Sequence, residues 1–165
     1  MNFRRLFFAL AILLGSLVVT STPAEAACAP LSLCSCTVST TGISFGSYIP
    51  VDATNNESSG TVRVQCVLLV ALAGSYTIDL STGSSGTYAQ RTLRNGASIL
   101  TYNIYVDAAR SQILGNGSGG SSRITRNFTA LLGVDQTTTV YGRIPAGQNV
   151  PAGSYSDTII VTVTY

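Results

Sequence analysis

"GSYSDTIIVTVTY", residues 153–165, is the stretch that decides how this chain folds. Ile159, Val161, Val163 and Tyr165 fall on one side of an alternating pattern, and Thr158, Ile160, Thr162 and Thr164 fall on the other. Alternation with period two, in β-branched and aromatic residues, predicts a half-buried β-strand. The pattern runs to the last residue, with no turn after it.

The same period recurs upstream. "CTVSTTGISFG" (36–46) reads as one bent strand or two short ones. "GTVRVQC" (60–66) turns Val62, Val64 and Cys66 to one face, "SYTIDLS" (75–81) turns Tyr76, Ile78 and Leu80, and "ILTYNIYVD" (99–107) turns Leu100, Tyr102, Ile104 and Val106. "RNFTALLG" (126–133) and "QTTTVYGRIP" (136–145) follow. Between the runs lie clusters of Gly, Asn, Ser and Pro: "DATNNESSG" (52–60), "TGSSG" (82–86), "RNG" (94–96), "GNGSGGSS" (115–122) and "PAGQNVPAGS" (145–154). Such residues favour turns. Short strands at this spacing, with no helical period between them, predict an all-β sandwich or barrel.

The N-terminus has a different character. "MNFRR" is basic, "LFFALAILLGSLVV" is apolar, and "TSTPAEA" ends in Ala24-Glu25-Ala26. This is the layout of a secretory signal peptide over residues 1–26. The apolar part is short of the roughly 20 residues that a membrane span needs. A cut after Ala26 leaves 139 residues with no further run of membrane length: an extension over 27–35 and a domain over 36–165.

All nine basic residues of the chain are arginines. Without Arg4, Arg5 and Glu25, seven arginines stand against six carboxylates. That balance argues against a nucleic-acid partner, which needs a concentrated basic face. Export makes disulfides chemically favourable for Cys28, Cys34, Cys36 and Cys66. Cys34 and Cys36, two residues apart, do not bridge comfortably along an extended chain, where they stand about 6.5–7 Å from each other. Two pairings remain: Cys28–Cys34 with Cys36–Cys66, or Cys28–Cys36 with Cys34–Cys66. The first is preferred, because Cys36 opens one strand pattern and Cys66 closes another.

Little here supports catalysis or a cofactor. The chain has no His to serve as a base near neutral pH and no Lys for Schiff-base work. Without His, a metal site would need four thiolates, and the cysteine spacing does not match one. Asp79, Asp107 and Asp157 read as solvated charges on outward faces of strands. "GNGSGG" resembles a phosphate loop but has neither a following helix nor a Lys. No enzyme, cofactor or metal is expected.

Taken in order, "CTVSTTGISFGSYIP", "GTVRVQC", "YTIDLSTGSSGTYAQRTLRNG", "LTYNIYVDAAR" and "VYGRIPAGQNVPAGSYSDTIIVTVTY" resemble the spore coat protein U domain family of secreted bacterial proteins, over about 36–165. The family includes pilin subunits of archaic chaperone–usher pili. The resemblance implies an immunoglobulin-like β-sandwich that is incomplete and is completed by donor-strand addition. A periplasmic pilus chaperone would fill the gap first. At the outer-membrane usher, the N-terminal extension of a neighbouring pilus subunit would replace it. The resemblance also implies a Cys36–Cys66 disulfide.

On this reading Ile159, Val161, Val163 and Tyr165 line the gap and form the edge that meets chaperone or donor strand. The donor segment in turn would be "ACAPLSLCS" (27–35), with Leu31 and Leu33 as its apolar positions. Pro30 and two cysteines make it a poor match to the long extension of a polymerising pilin. The expected role is a structural subunit of a surface pilus or coat, passing through the periplasm to the cell surface. The alternatives are a tip adhesin binding a glycan or surface through loop residues such as Tyr48, Tyr88 and Ile113-Leu114, and a coat protein complete within one chain.

Overall fold

A computed structural model describes residues 26–27, 34–68 and 72–165. Its strands form two sheets. The larger runs in the order β1 (Ala26–Ala27), β2 (Cys34–Thr41), β3 (Asn56–Leu68), β8 (Gly133–Ile144), β6 (Ser98–Tyr105), β5 (Arg91–Asn95). The smaller has β4 (Leu72–Leu80) between β7 (Ile124–Ala130) and β9 (Val161–Thr164). All ladders between these strands are antiparallel. A single 3₁₀ turn at Gly83–Ser85 is the only helical element among the described residues. No helix there is long and apolar enough to cross a membrane.

The core is built from the alternating residues. Val62, Val64, Cys66 and Leu68 point inward from β3, Tyr76, Ile78 and Leu80 from β4, and Leu100, Tyr102 and Ile104 from β6, all buried. β2 and β3 pair with Cys36 directly opposite Cys66, and a disulfide joins the two. This is the Cys36–Cys66 half of the preferred pairing. Cys28, Leu31 and Leu33 lie outside the described residues, as does the Cys34 side chain, and with them the Cys28–Cys34 bridge.

Several boundaries differ from the sequence reading. β3 starts at Asn56 rather than Gly60, because polar "NESS" pairs with Tyr141–Ile144 at the end of the long β3–β8 ladder. β5 takes in residues 91–93, where the sequence reading places no strand, and Arg94 and Asn95, which read as turn. It forms a hairpin with β6 around Gly96, whose φ of 56° suits the tight reversal. β2 ends at Thr41, and residues 42–48 continue without a ladder. Ser44 and Ser47 there accept hydrogen bonds from the side chains of Ser58 and Asn56 on β3, at 2.6 and 3.0 Å.

Glycines explain how that segment crosses the larger sheet. A Cβ on Gly60 would stand 2.6 Å from the Thr41 carbonyl oxygen, and one on Gly142 would stand 2.7 Å from the Phe45 ring. The missing side chains let Ile43 and Phe45 lie against the sheet, with Phe45 edge-on to Tyr102 at 5.9 Å. The terminal segment crosses the other way. Ser156 exchanges backbone hydrogen bonds with Arg94 on β5 of the larger sheet. Ile160 then bonds to Ser81, and Val161 pairs with Leu80 in the smaller sheet. The strand of the sequence reading therefore shortens to Val161–Thr164, since residues 156–160 bridge the sheets.

Candidate functional site

Among the described residues, the end of β2 (Thr40 and Thr41) and the start of β9 (Val161) border a common gap of the sandwich, the seam. Along the inward side of β2 the cover thins: Cys36 is buried, Val38 half-buried, Thr40 exposed. β1 pairs only with Ser35 and Cys36, so from Val38 onward β2 has no outer partner among the described strands. On the opposite lip, Ile159, Val161, Val163 and Tyr165 all pack against the core yet are only half-buried. β9 pairs with β4 on one side and with no other described strand. The inward residues of β4 and β6 are fully buried, so the thinning is local to this edge.

One cavity lies in the seam and a larger one adjoins it beyond the ends of β2 and β9. The larger, of 770 Å³, lies between residues 43–48 and residues 150–157, over Leu93, Leu100 and Ile144. The smaller, of 220 Å³, lies between Thr40–Ile43 and Ile159–Val161, over Leu80, Ile104 and Val140. Ile43, Phe45, Leu93 and Asp157 border both. Of the four residues predicted for this edge, Ile159 and Val161 line the smaller cavity. Val163 and Tyr165 continue along β9, where the Tyr165 ring sits 6.0 Å from Tyr76. Its hydroxyl is buried without a hydrogen-bond partner among the described residues.

Two aspartates read as solvated are not: the Asp79 side chain is 16% exposed beside Arg123 with Oδ1 buried, and Asp157 turns inward. It shares the parity of Ile159 and Val161, and it faces inward rather than into solvent. Its Oδ2 accepts from the Tyr102 hydroxyl at 2.7 Å, and its Oδ1 accepts from the Ser84 and Thr158 amides at 2.9 Å each. Burial, then the bond to Asp157, pushes the Tyr102 phenol well above its ordinary range. A chain of neutral donors thus holds a carboxylate at the junction of the two cavities.

A second polar knot underlies the seam. Arg91 is fully buried on β5, with no ion pair to a carboxylate among the described residues. Its guanidinium donates to the Ser81 and Leu114 carbonyls and to Asn103 Oδ1 at 2.7–3.1 Å, and it lies over the Tyr88 ring at 5.3 Å. Burial lowers its pKa from the ordinary value. Ser81 in turn bonds Ile160, so Arg91 braces the turn that receives the terminal segment. No sequence pattern marks this arginine as internal; only the alternation of β5 against β6 places it there.

The loop residues named for surface binding are not free at the surface. Leu114 is fully buried, Ile113 and Tyr88 are half-buried, and the Tyr48 hydroxyl is tied to Pro145 and Gln148. Exposed apolar side chains stand elsewhere: Val67, Leu131 and Leu132 at 65–80% where β3 and β8 meet at one end, and Ile49 and Val51 at 51% and 90% in the loop after residues 42–48.

A family model described as Spore Coat Protein U domain matches residues 22–162. Protein U of Myxococcus xanthus is 33% identical over 175 aligned positions, spanning 94% of this chain and 95% of that protein. Among solved structures, one chain of the CsuC–CsuE chaperone–tip adhesion subunit pre-assembly complex, from archaic chaperone–usher Csu pili of Acinetobacter baumannii, superposes with a TM-score of 0.51 at 20% identity. The match covers 81% of this chain and 40% of that one, and it is a likeness of fold. Together with the two-sheet architecture, it supports an immunoglobulin-like sandwich. The chain belongs to the Spore Coat Protein U domain family.

Proposed function

We propose that this protein is a structural subunit of a surface pilus or coat, assembled by accepting a β-strand from another polypeptide into the seam between β2 and β9. Residues 1–26 direct export as a cleaved signal peptide, and residues 36–165 form the assembling domain. In the periplasm a pilus chaperone supplies the strand. At the outer-membrane usher a neighbouring subunit replaces it. Family membership and the Csu-like fold support this reading.

The observation that carries it is the half-buried edge of Ile159, Val161, Val163 and Tyr165 beside a cavity floored by Leu80, Ile104 and Val140. An exposed sheet edge beside uncovered apolar side chains is an association site. An added strand satisfies backbone groups on the edge and fills the groove with alternate side chains. Full burial of each large apolar side chain contributes about 1.5–3 kcal/mol, so covering Ile159, Val161 and Val163 completely yields several kcal/mol.

Periplasmic expression with and without an archaic pilus chaperone tests the proposal. A chaperone-dependent soluble complex, weakened by Val161→Arg, is the expected result. A soluble, stable monomer that ignores both chaperone and donor peptide would overturn it.

A further inference from the structure

The seam has two compartments with apolar residues on their floors, and one carboxylate borders both. Leu93, Leu100 and Ile144 floor the first, and Leu80, Ile104 and Val140 floor the second. Asp157 borders both. No ion pair reaches it among the described residues; its three partners are neutral donors. Two carboxylate oxygens offer about four acceptor positions. Oδ2 lies against Gly83 and accepts from Tyr102 alone, so it has fewer protein donors than it can accept, and Asp157 lines both cavities. A partner that covered this oxygen with an apolar side chain would desolvate a charge without replacing its hydrogen bond.

We propose that Asp157 selects the strand that enters the seam: the incoming segment carries a hydrogen-bond-donating side chain opposite Asp157, with large apolar side chains on the same face before and after it. Side chains on one strand face recur every two residues, about 6.6–7 Å apart, which sets one apolar residue into each compartment with the donor between. An acidic residue at the central position is excluded by like-charge repulsion. This inference rests on the strand-accepting reading and adds the chemistry of the accepted strand.

The test uses three synthetic peptides of alternating apolar and polar residues, identical except for Thr, Leu or Glu at the central inward position. Binding to the mature chain is measured for each. The Thr peptide is expected to bind about tenfold more tightly than the Leu peptide, as for one hydrogen bond to a charged group, with the Glu peptide weakest. In Asp157→Asn, the Glu peptide is expected to recover to the level of the Leu peptide. The order in the wild-type chain decides the matter even if this variant folds poorly. Leu equal to or tighter than Thr overturns the role of Asp157 and leaves the strand-accepting reading intact. Failure of all three peptides to bind overturns that reading, and this inference with it.

Discussion

The Tyr102 hydroxyl donates a 2.7 Å hydrogen bond to Asp157, tying β6 of the larger sheet to the segment that crosses toward the smaller one. The bond closes the floor of the seam at the point where the chain changes sheets. Both partners contribute to the fold as well as to the groove. Tyr102→Phe removes one of three donors to a half-buried carboxylate, and the expected cost is about 1–3 kcal/mol in urea unfolding.

Tyr102 also sets the response to alkali. Burial raises the phenols of Tyr76, Tyr102 and Tyr165 in the folded chain. Below about pH 10 both folded and unfolded states keep these protons, and the stability is fully present. Above that, the unfolded chain loses them first, and stability falls with rising pH. Unfolding followed by circular dichroism at pH 8 and at pH 11 is expected to show this loss. Tyr102→Phe is expected to show a shallower one.

Arg91 offers a sharper prediction. Its guanidinium serves three acceptors in a fixed plane, which a lysine ammonium cannot reproduce. Arg91→Met leaves the Ser81 and Leu114 carbonyls and Asn103 without their buried donor, at an expected cost of about 3–5 kcal/mol. Arg91→Lys is expected to recover little of it. Thermal midpoints of the two variants decide this.

Gly60 and Gly142 are expected to differ in tolerance. A Cβ on Gly60 meets the Thr41 backbone, whereas one on Gly142 meets side-chain atoms of Ile43 and Phe45. Gly60→Ala displaces the crossing backbone, with an expected cost of about 1–3 kcal/mol. Gly142→Ala instead pushes Phe45 toward the seam. Its expected signature is weaker strand binding with a smaller change in stability.

The Cys36–Cys66 bridge closes a loop over a sequence separation of 30. Its removal by Cys36→Ser with Cys66→Ser is expected to cost about 3.5 kcal/mol on the loop-entropy scale. The measured unfolding free energy of the double variant checks it.

How much of this was legible in the sequence depended on whether polarity and position agreed. β4 and β6 were readable, because Tyr76, Ile78, Leu80, Leu100, Tyr102 and Ile104 alternate cleanly and all face the core. β5 was not, because its fully buried inward residue is an arginine. Asp157 was misread for the same reason: a charge within a strand pattern is usually solvated, and here neutral donors from Tyr102, Ser84 and Thr158 hold it inward. The apolar lip at Ile159 and Val161 was visible, but its opposite wall was not. Residues 42–48 lie in no ladder, and their path depends on the absent side chains of Gly60 and Gly142.

The strand-accepting seam is tested most directly by amide hydrogen exchange on the chain alone and in complex with a periplasmic pilus chaperone. Residues 42–48 and the amides of Val161–Thr164 that do not bond to β4 are expected to exchange readily in the free chain and to gain strong protection in the complex, while the central amides of β3 and β8 stay unchanged. Equal protection of both lips in the two states would contradict the proposal that another chain supplies the neighbouring strand.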